Sequence, residues 1–172
     1  MKILVAIPSY QRPYLLEKKI WYYVKDLKSC DVRVFCDKDE YMYYEQVAGD
    51  RAVIGADQGK PDGLIQQLNF IKEYAIEHKY DVIWKIDDKC ELRKGNVSKK
   101  DIVPYIEKYV EEIKQKFKEG ADAIGTCKST EYRFAQQEGF IKRIRPFDAS
   151  YFIKTELFGL DPEVFSMAEL QV

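Results

Sequence analysis

Long apolar runs are missing from this chain. The longest, Ile3 to Pro8, has about six residues, far short of the roughly twenty that a membrane-spanning helix needs. The opening carries one lysine and then runs into Pro8. That leaves no apolar stretch of leader length and no small-residue cleavage site, so it reads as a first β-strand. Histidine is limited to His78, and the four cysteines, Cys30, Cys36, Cys90 and Cys127, form no CxxC pair. A zinc site built from Cys and His is therefore not expected, and the thiols read as free, reduced and cytoplasmic. Excess charge of one sign is missing too: 28 Lys plus Arg against 29 Asp plus Glu leave a net charge of −1. That balance excludes a histone-like coat for polyanions but leaves room for a local basic patch. No internal repeat, low-complexity tract or linker interrupts the chain.

What is present fits one ordinary globular domain. The 172 residues are 46% hydrophobic and 14% aromatic, with 13 Tyr, which is not the composition of a disordered chain. KILVAIPSY (2–10) reads as a buried strand, central in a parallel sheet. Pro13 suits the first turn of a helix. Leu16, Ile20, Tyr23, Val24 and Leu27 then predict one helix of about 14 residues by their spacing. DVRVFC (31–36) is a second strand, 41–47 a short aromatic helix and 52–54 a short strand. The loop 55–63, GADQGKPDG, precedes a helix whose apolar stripe is Leu64, Leu68, Ile71 and Ala75. YDVIWKI (80–86) is another buried strand. Asp101 is expected to cap a long helix through Val103, Ile106, Val110, Ile113 and Phe117, which stops at Gly120. A strand at 121–127 and shorter strands follow, with a hairpin expected around Gly139. Strands alternating with helices predict an α/β fold, a mostly parallel central sheet flanked by helices.

In such sheets ligands bind beyond the carboxyl ends of the strands. Three polar clusters fall there: Pro8 to Arg12, Asp37 to Asp39, and Asp87-Asp88. Adjacent carboxylates repel, and are tolerated when solvent or a divalent cation neutralises them. A hard cation such as Mg2+ or Mn2+ is held by one or two carboxylates plus substrate phosphates. The plainer reading of Asp87-Asp88 is a solvated turn. Their place at a strand end beside two other polar strand ends favours a site.

The segments IPSYQRP (7–13), VFCDKDE (34–40), GKPDGLIQQLNFIKEYA (59–75) and VIWKIDDK (82–89) resemble the nucleotide-sugar half of GT-A glycosyltransferases. Order and spacing agree over about 85 residues. The resemblance implies a single Rossmann-like domain, with a donor-binding half at about 1–95 and an acceptor-side half at about 96–172. It implies that Pro8, Ser9 and Tyr10 shape a pocket for base and ribose, and that Arg12 reaches a phosphate. Asp37 would accept hydrogen bonds from base or ribose. Asp62, Gly63 and Gln67 would lie along the donor, and Asp87 and Asp88 would face the ribose and a metal-bound diphosphate, with Asp88 the ligand of Mn2+ or Mg2+. The donor implied is a nucleoside diphosphate sugar, a UDP-sugar first among them, and no membrane partner is expected.

One departure bears on the metal. The family's D-x-D is Asp87-Asp88-Lys89 here, so either Asp88 alone grips the ion or Lys89 supplies charge to the diphosphate. On the acceptor side, 148–172 resembles the family's segment that supplies a base, with Glu169 or Asp148 the candidates. The IPSY-R-P opening is most similar to a phage group associated with TET/JBP-type oxygenases, which implies a hydroxymethylated pyrimidine in DNA as acceptor. Lys142, Arg143 and Arg145 beside Phe140, Phe147 and Tyr151, and a run from Lys85 and Lys89 through Arg93, Lys94, Lys99 and Lys100, are the candidate DNA contacts. The plainer reading is two solvated faces. The acidic segment stops at Val172, as either a minimal enzyme or one lacking a C-terminal portion would. A nucleotidyltransferase would open with a Gly-rich phosphate loop, and 7–13 contains no Gly. A haloacid-type phosphatase would want D-x-D followed by Thr or Val, which Asp88-Lys89-Cys90 does not supply. The non-enzymatic alternative is a degenerate GT-A domain that binds nucleic acid or protein.

Overall fold

A computed structural model describes residues 1–92, 97–125 and 150–158. Its centre is β1 (Ile3–Pro8), in which all six residues are buried. A strand without a polar face is stable only when both faces are covered, and β1 is flanked on both sides. It pairs in parallel with β2 (Asp31–Cys36) and with β4 (Val82–Ile86), and β2 pairs in parallel with β3 (Ala52–Ile54). Beyond β4 lie β6 (Ser150–Lys154) and then β5 (Ala123–Gly125). Strand β6 runs antiparallel to both neighbours. The order across the six-stranded sheet is β3-β2-β1-β4-β6-β5.

Side chains alternate between two apolar layers, as the two-residue period of a strand requires. Ile3, Val5 and Ile7 of β1, Val32 and Val34 of β2 and Val82, Trp84 and Ile86 of β4 face one layer. That layer is covered by α1 (Pro13–Lys18), α2 (Ile20–Val24), α3 (Tyr41–Ala48) and α5 (Val103–Lys118). Leu4, Ala6, Phe35 and Ile83 face the other, against α4 (Gly63–Glu77). Trp84 stacks on Phe152 with ring centroids 4.5 Å apart, and its indole N–H donates to Ser150 Oγ at 3.0 Å. A buried Trp with its one donor met welds β4 to β6.

Four expectations change in the fold. The helix expected over 13–27 is two, because Lys19 leaves helical geometry (φ −111°, ψ −114°). Its ammonium ion-pairs there with Glu91, which follows β4. Asp101 does not cap α5. It ends a 3-10 turn where Ser98 Oγ donates to it, and the cap position belongs to Ile102, which is buried in the core instead. Leu64 is 53% exposed while Gln67 is fully buried, because the first turn of α4 faces the loop before it rather than the sheet. Strand β5 begins at Ala123 rather than at 121. The hairpin expected around Gly139 lies outside the described residues.

The connections position the site. From β1 the chain steps to β2 and then β3 on one side, and α4 carries it back to β4 on the other side of β1. The switch point of the sheet is therefore the crevice between the carboxyl ends of β1 and β4, where α/β sheets bind ligands.

Candidate functional site

The backbone ladder continues one residue past β1: Ser9 N donates to Phe35 O at 2.9 Å. This fixes Ser9 at the switch point, where it is 1% exposed. Its hydroxyl lies 2.8 Å from Tyr44 Oη and 2.7 Å from Asp88 Oδ2. Tyr44 Oη also accepts the Arg12 backbone N–H at 3.1 Å. The directions follow from donor counting. The carboxylate only accepts, so Ser9 donates to Asp88, and Tyr44 in turn donates to Ser9. One chain of hydrogen bonds thus runs from the Arg12 amide through two buried hydroxyls to Asp88.

The loop after β1 is tightly specified. Gln11 adopts φ 56°, uncommon for a residue with a Cβ, and its N–H donates to Glu40 Oε2 at 3.0 Å. Arg12 is the result of that turn. Its Nε lies 3.1 Å from Asp88 Oδ2 and 3.2 Å from Tyr10 O. Among the described residues, no partner holds its two Nη groups.

Asp88 is 1% exposed. Burial pushes its carboxyl above the ordinary value, the Ser9 hydroxyl and the Arg12 guanidinium pull it back down, and Asp87 adds to the rise. The Lys89 backbone N–H is a further donor to it. Asp87, more exposed, ion-pairs with Lys85 Nζ at 2.5 Å. Burial also lifts the Tyr44 hydroxyl to about 12, so it stays a proton donor throughout the neutral range.

At the carboxyl end of β2, Asp37 is 8% exposed. Both of its oxygens lie 3.0 Å from Gln58 N, and Gln58 Nε2 reaches Asp37 Oδ1 at 3.3 Å and Ser9 O at 3.0 Å. Gln58 thus bridges the ends of β1 and β2 from the loop over 55–62. That loop presses on α4 so closely that a Cβ on Gly63 would stand 2.4 Å from Gln58 Cα and O. Gln67 holds it from below. Its Oε1 accepts Ala56 N at 2.5 Å, and its buried Nε2 has no hydrogen-bond partner among the described residues.

The structure therefore gathers Pro8, Ser9, Tyr10, Arg12, Asp37, Asp87 and Asp88 at the carboxyl edge of β1, β2 and β4. Lys89 is exposed beside them, and Asp62 and Gly63 start α4. Gln67 supports the loop from beneath and has no exposed face. Two expected DNA contacts take other roles: Tyr151 is a core residue of β6, 7% exposed, and Lys85 is bound to Asp87. Glu169, Asp148, Lys142, Arg143, Arg145, Phe140, Phe147, Arg93 and Lys94 lie outside the described residues. Sequence reasoning missed Tyr44 and Gln58. Tyr44 is one of three tyrosines on YMYYEQV, and only helical phase against the sheet separates it from Tyr43, which is 61% exposed.

Among the described residues, the carboxylates at this strand end are paired with protein groups rather than left open to a divalent cation. A hard cation needs carboxylate oxygens facing open space. Asp88 Oδ2 takes both Ser9 and Arg12, the Lys89 amide is a further donor to the carboxylate, and Asp87 is neutralised by Lys85. Among the described residues, no three His, Cys, Asp or Glu side chains converge, and no helix is long and apolar enough to cross a membrane.

No protein-family profile matches the chain, and no curated protein matches it. Solved structures are similar to it. The mannosyltransferase PcManGT from Pyrobaculum calidifontis, in complex with GDP-Man and Mn2+, superposes with a TM-score of 0.52 at 12% identity, over 91% of this chain and 45% of that one. A cytidylyltransferase from Leptospira borgpetersenii gives 0.48 at 13% identity, over 91% of this chain and 60% of that one. The chain spans less than two thirds of either neighbour. The likeness to the mannosyltransferase is one of fold, an α/β architecture with a six-stranded, mostly parallel sheet flanked by helices.

Proposed function

We propose that this domain binds a nucleoside diphosphate sugar and transfers the sugar to an acceptor hydroxyl. The observation that carries the reading is the convergence of Ser9, Arg12, Asp37 and Asp88 from three separate strand ends on one switch point. Ligands bind there in open α/β sheets. The fold shared with a mannosyltransferase crystallised with GDP-Man supports it. The Ser9 carbonyl and the Asp37 carboxylate are acceptors for N–H groups of a base or hydroxyls of a ribose, and Tyr10 stands beside them. Gln58 Nε2 occupies these acceptors in the free protein, so a bound nucleoside displaces its side chain. Asp62 and Asp87 border the ribose and sugar, and Arg12 and Lys89 face the diphosphate.

The acceptor side of the proposal rests on sequence. Glu169 or Asp148 would deprotonate the acceptor hydroxyl. Lys142, Arg143 and Arg145 would hold phosphates of a DNA strand carrying a hydroxymethylated pyrimidine. Replacing Arg143 and Arg145 together by alanine should weaken DNA binding and reduce its salt slope by about 2; an unchanged slope removes DNA as acceptor.

A panel of nucleoside diphosphates and their sugars tests the donor side by thermal unfolding. A ligand at about 100 times its Kd adds roughly 2.7 kcal/mol, and the reading requires such a rise for one nucleotide. The internal pairing of Asp88 favours a second reading, a binding module without transferase activity. That reading predicts no preference for any sugar nucleotide over added salt.

A further inference from the structure

We infer that Arg12, aimed by Asp88, supplies the positive charge that grips the donor's diphosphate, and that donor binding needs no divalent cation. The inference rests on the nucleotide-sugar reading and adds its electrostatic mechanism. Three observations carry it. First, one end of the guanidinium is pinned: Nε faces both Asp88 Oδ2 at 3.1 Å and Tyr10 O at 3.2 Å. The two Nη groups are left without a partner among the described residues, and the side chain is 43% exposed. A guanidinium fixed at Nε presents its remaining N–H groups as a planar fork, which matches phosphate oxygens.

Second, Asp88 is held for this task rather than for a metal. It is 1% exposed and takes the Ser9 hydroxyl at 2.7 Å, and Ser9 is itself fixed by Tyr44. A cation added at Asp88 Oδ2 would meet the Arg12 charge already there. Third, the second carboxylate is neutralised by Lys85, and the residue after Asp88, where the resemblance implies a third acid, is the exposed Lys89. Around Asp87 and Asp88, the cations Lys85, Lys89 and Arg12 offset both carboxylates, and Arg12 and Lys89 are the ones exposed to an anionic ligand. Asp88 acts through Arg12, as a positioning residue.

The test is isothermal titration of ADP, CDP, GDP and UDP into the full chain, in EDTA and again with Mn2+. For the tightest of the four, the inference predicts a Kd in EDTA within threefold of that in Mn2+, and a loss of tenfold or more in EDTA for Arg12→Ala. Tightening by Mn2+ of threefold or more overturns it, and so does a smaller loss for Arg12→Ala. Asp88→Asn should weaken binding by fivefold or more in EDTA with Arg12 present and by less than twofold in the Arg12→Ala background. A general structural defect would weaken both backgrounds equally and would overturn the positioning role. Should Arg12→Ala fail to give a cooperative melt, Arg12→Lys replaces it: charge is kept and the pinned fork is lost, so the same tenfold criterion applies. Failure of all four nucleotides under both conditions refutes the nucleotide reading itself. Binding that appears only with Mn2+ refutes this inference and leaves that reading standing.

Discussion

Replacing Ser9 with alanine removes one oxygen from a buried chain of hydroxyls, and the loss can be worked from its neighbours. The wild-type hydroxyl donates to Asp88 Oδ2 at 2.7 Å and accepts from Tyr44 at 2.8 Å. A hydrogen bond to a charged group contributes about 1.5–3 kcal/mol, and a buried donor left unmet costs about 1–3 kcal/mol. Tyr44 is fully buried, so no water takes the place of Ser9. We expect Ser9→Ala to cost about 2–4 kcal/mol, a large share of the roughly 5–15 kcal/mol a domain possesses. The melting temperature should fall by about 5–15 °C, at roughly 2–4 °C per kcal/mol for a chain of this size. Urea unfolding is the assay, with an unchanged m-value as the check that only stability moved. Tyr44→Phe should cost less, about 1–2 kcal/mol, since it leaves the Ser9–Asp88 bond intact. The double variant should cost less than the sum, because the orphaned tyrosine hydroxyl is gone. A cost below about 1 kcal/mol for Ser9→Ala, or strict additivity in the double variant, would refute the hydrogen-bond chain as drawn.

The other predictions concern the carboxylate, the loop and its occupant. Burial raises the Asp88 pKa above 3.8, so the folded state holds that proton more tightly than the unfolded state does. Its contribution to stability is full below the unfolded value and is lost as pH rises through the folded one. Urea midpoints should therefore show a component that falls as pH rises above 3.8 and that Asp88→Asn abolishes; an identical pH profile in the variant contradicts it. Gly63→Ala places a Cβ 2.4 Å from Gln58 backbone atoms. It should cost about 1–3 kcal/mol and open the loop over 55–62 to protease, and wild-type resistance in the variant would count against the packing described. Gln58→Ala removes the Nε2 donor from Ser9 O and Asp37 Oδ1 while its backbone N–H stays on Asp37, and should tighten nucleotide binding in a titration. A weaker Kd would mean that Gln58 contacts the ligand rather than yielding to it.

Much of the sheet was legible because burial on both faces leaves a plain signature. The run at 3–8 has no polar face and 82–86 is apolar except for Lys85, and they are the central pair. The three polar strand ends were legible for the same reason, as sharp breaks after apolar runs, and the strand order then placed them side by side. What escaped depends on contacts between distant segments. Leu64 fits an apolar stripe by spacing, yet Gln67 takes the buried place because the loop before α4 needs an acceptor for Ala56 N. Asp101 has the chemistry of a cap, but Ile102 wins the position through core burial. Asp88 reads as a metal ligand by motif. Only the fold shows that Arg12 and Ser9, 76 and 79 residues away in sequence, already occupy it.

The central claim is that the switch point between β1 and β4, flanked by Asp37, takes a nucleoside diphosphate sugar. The most direct test is calorimetric titration of GDP-, UDP-, ADP- and CDP-sugars into the wild-type chain and into Asp37→Asn and Arg12→Ala. The account predicts that one sugar nucleotide binds, that its parent diphosphate competes for the same site, and that each variant loses about tenfold, roughly 1.4 kcal/mol. Saturable binding that neither variant alters, or no binding by any of the four, would contradict it.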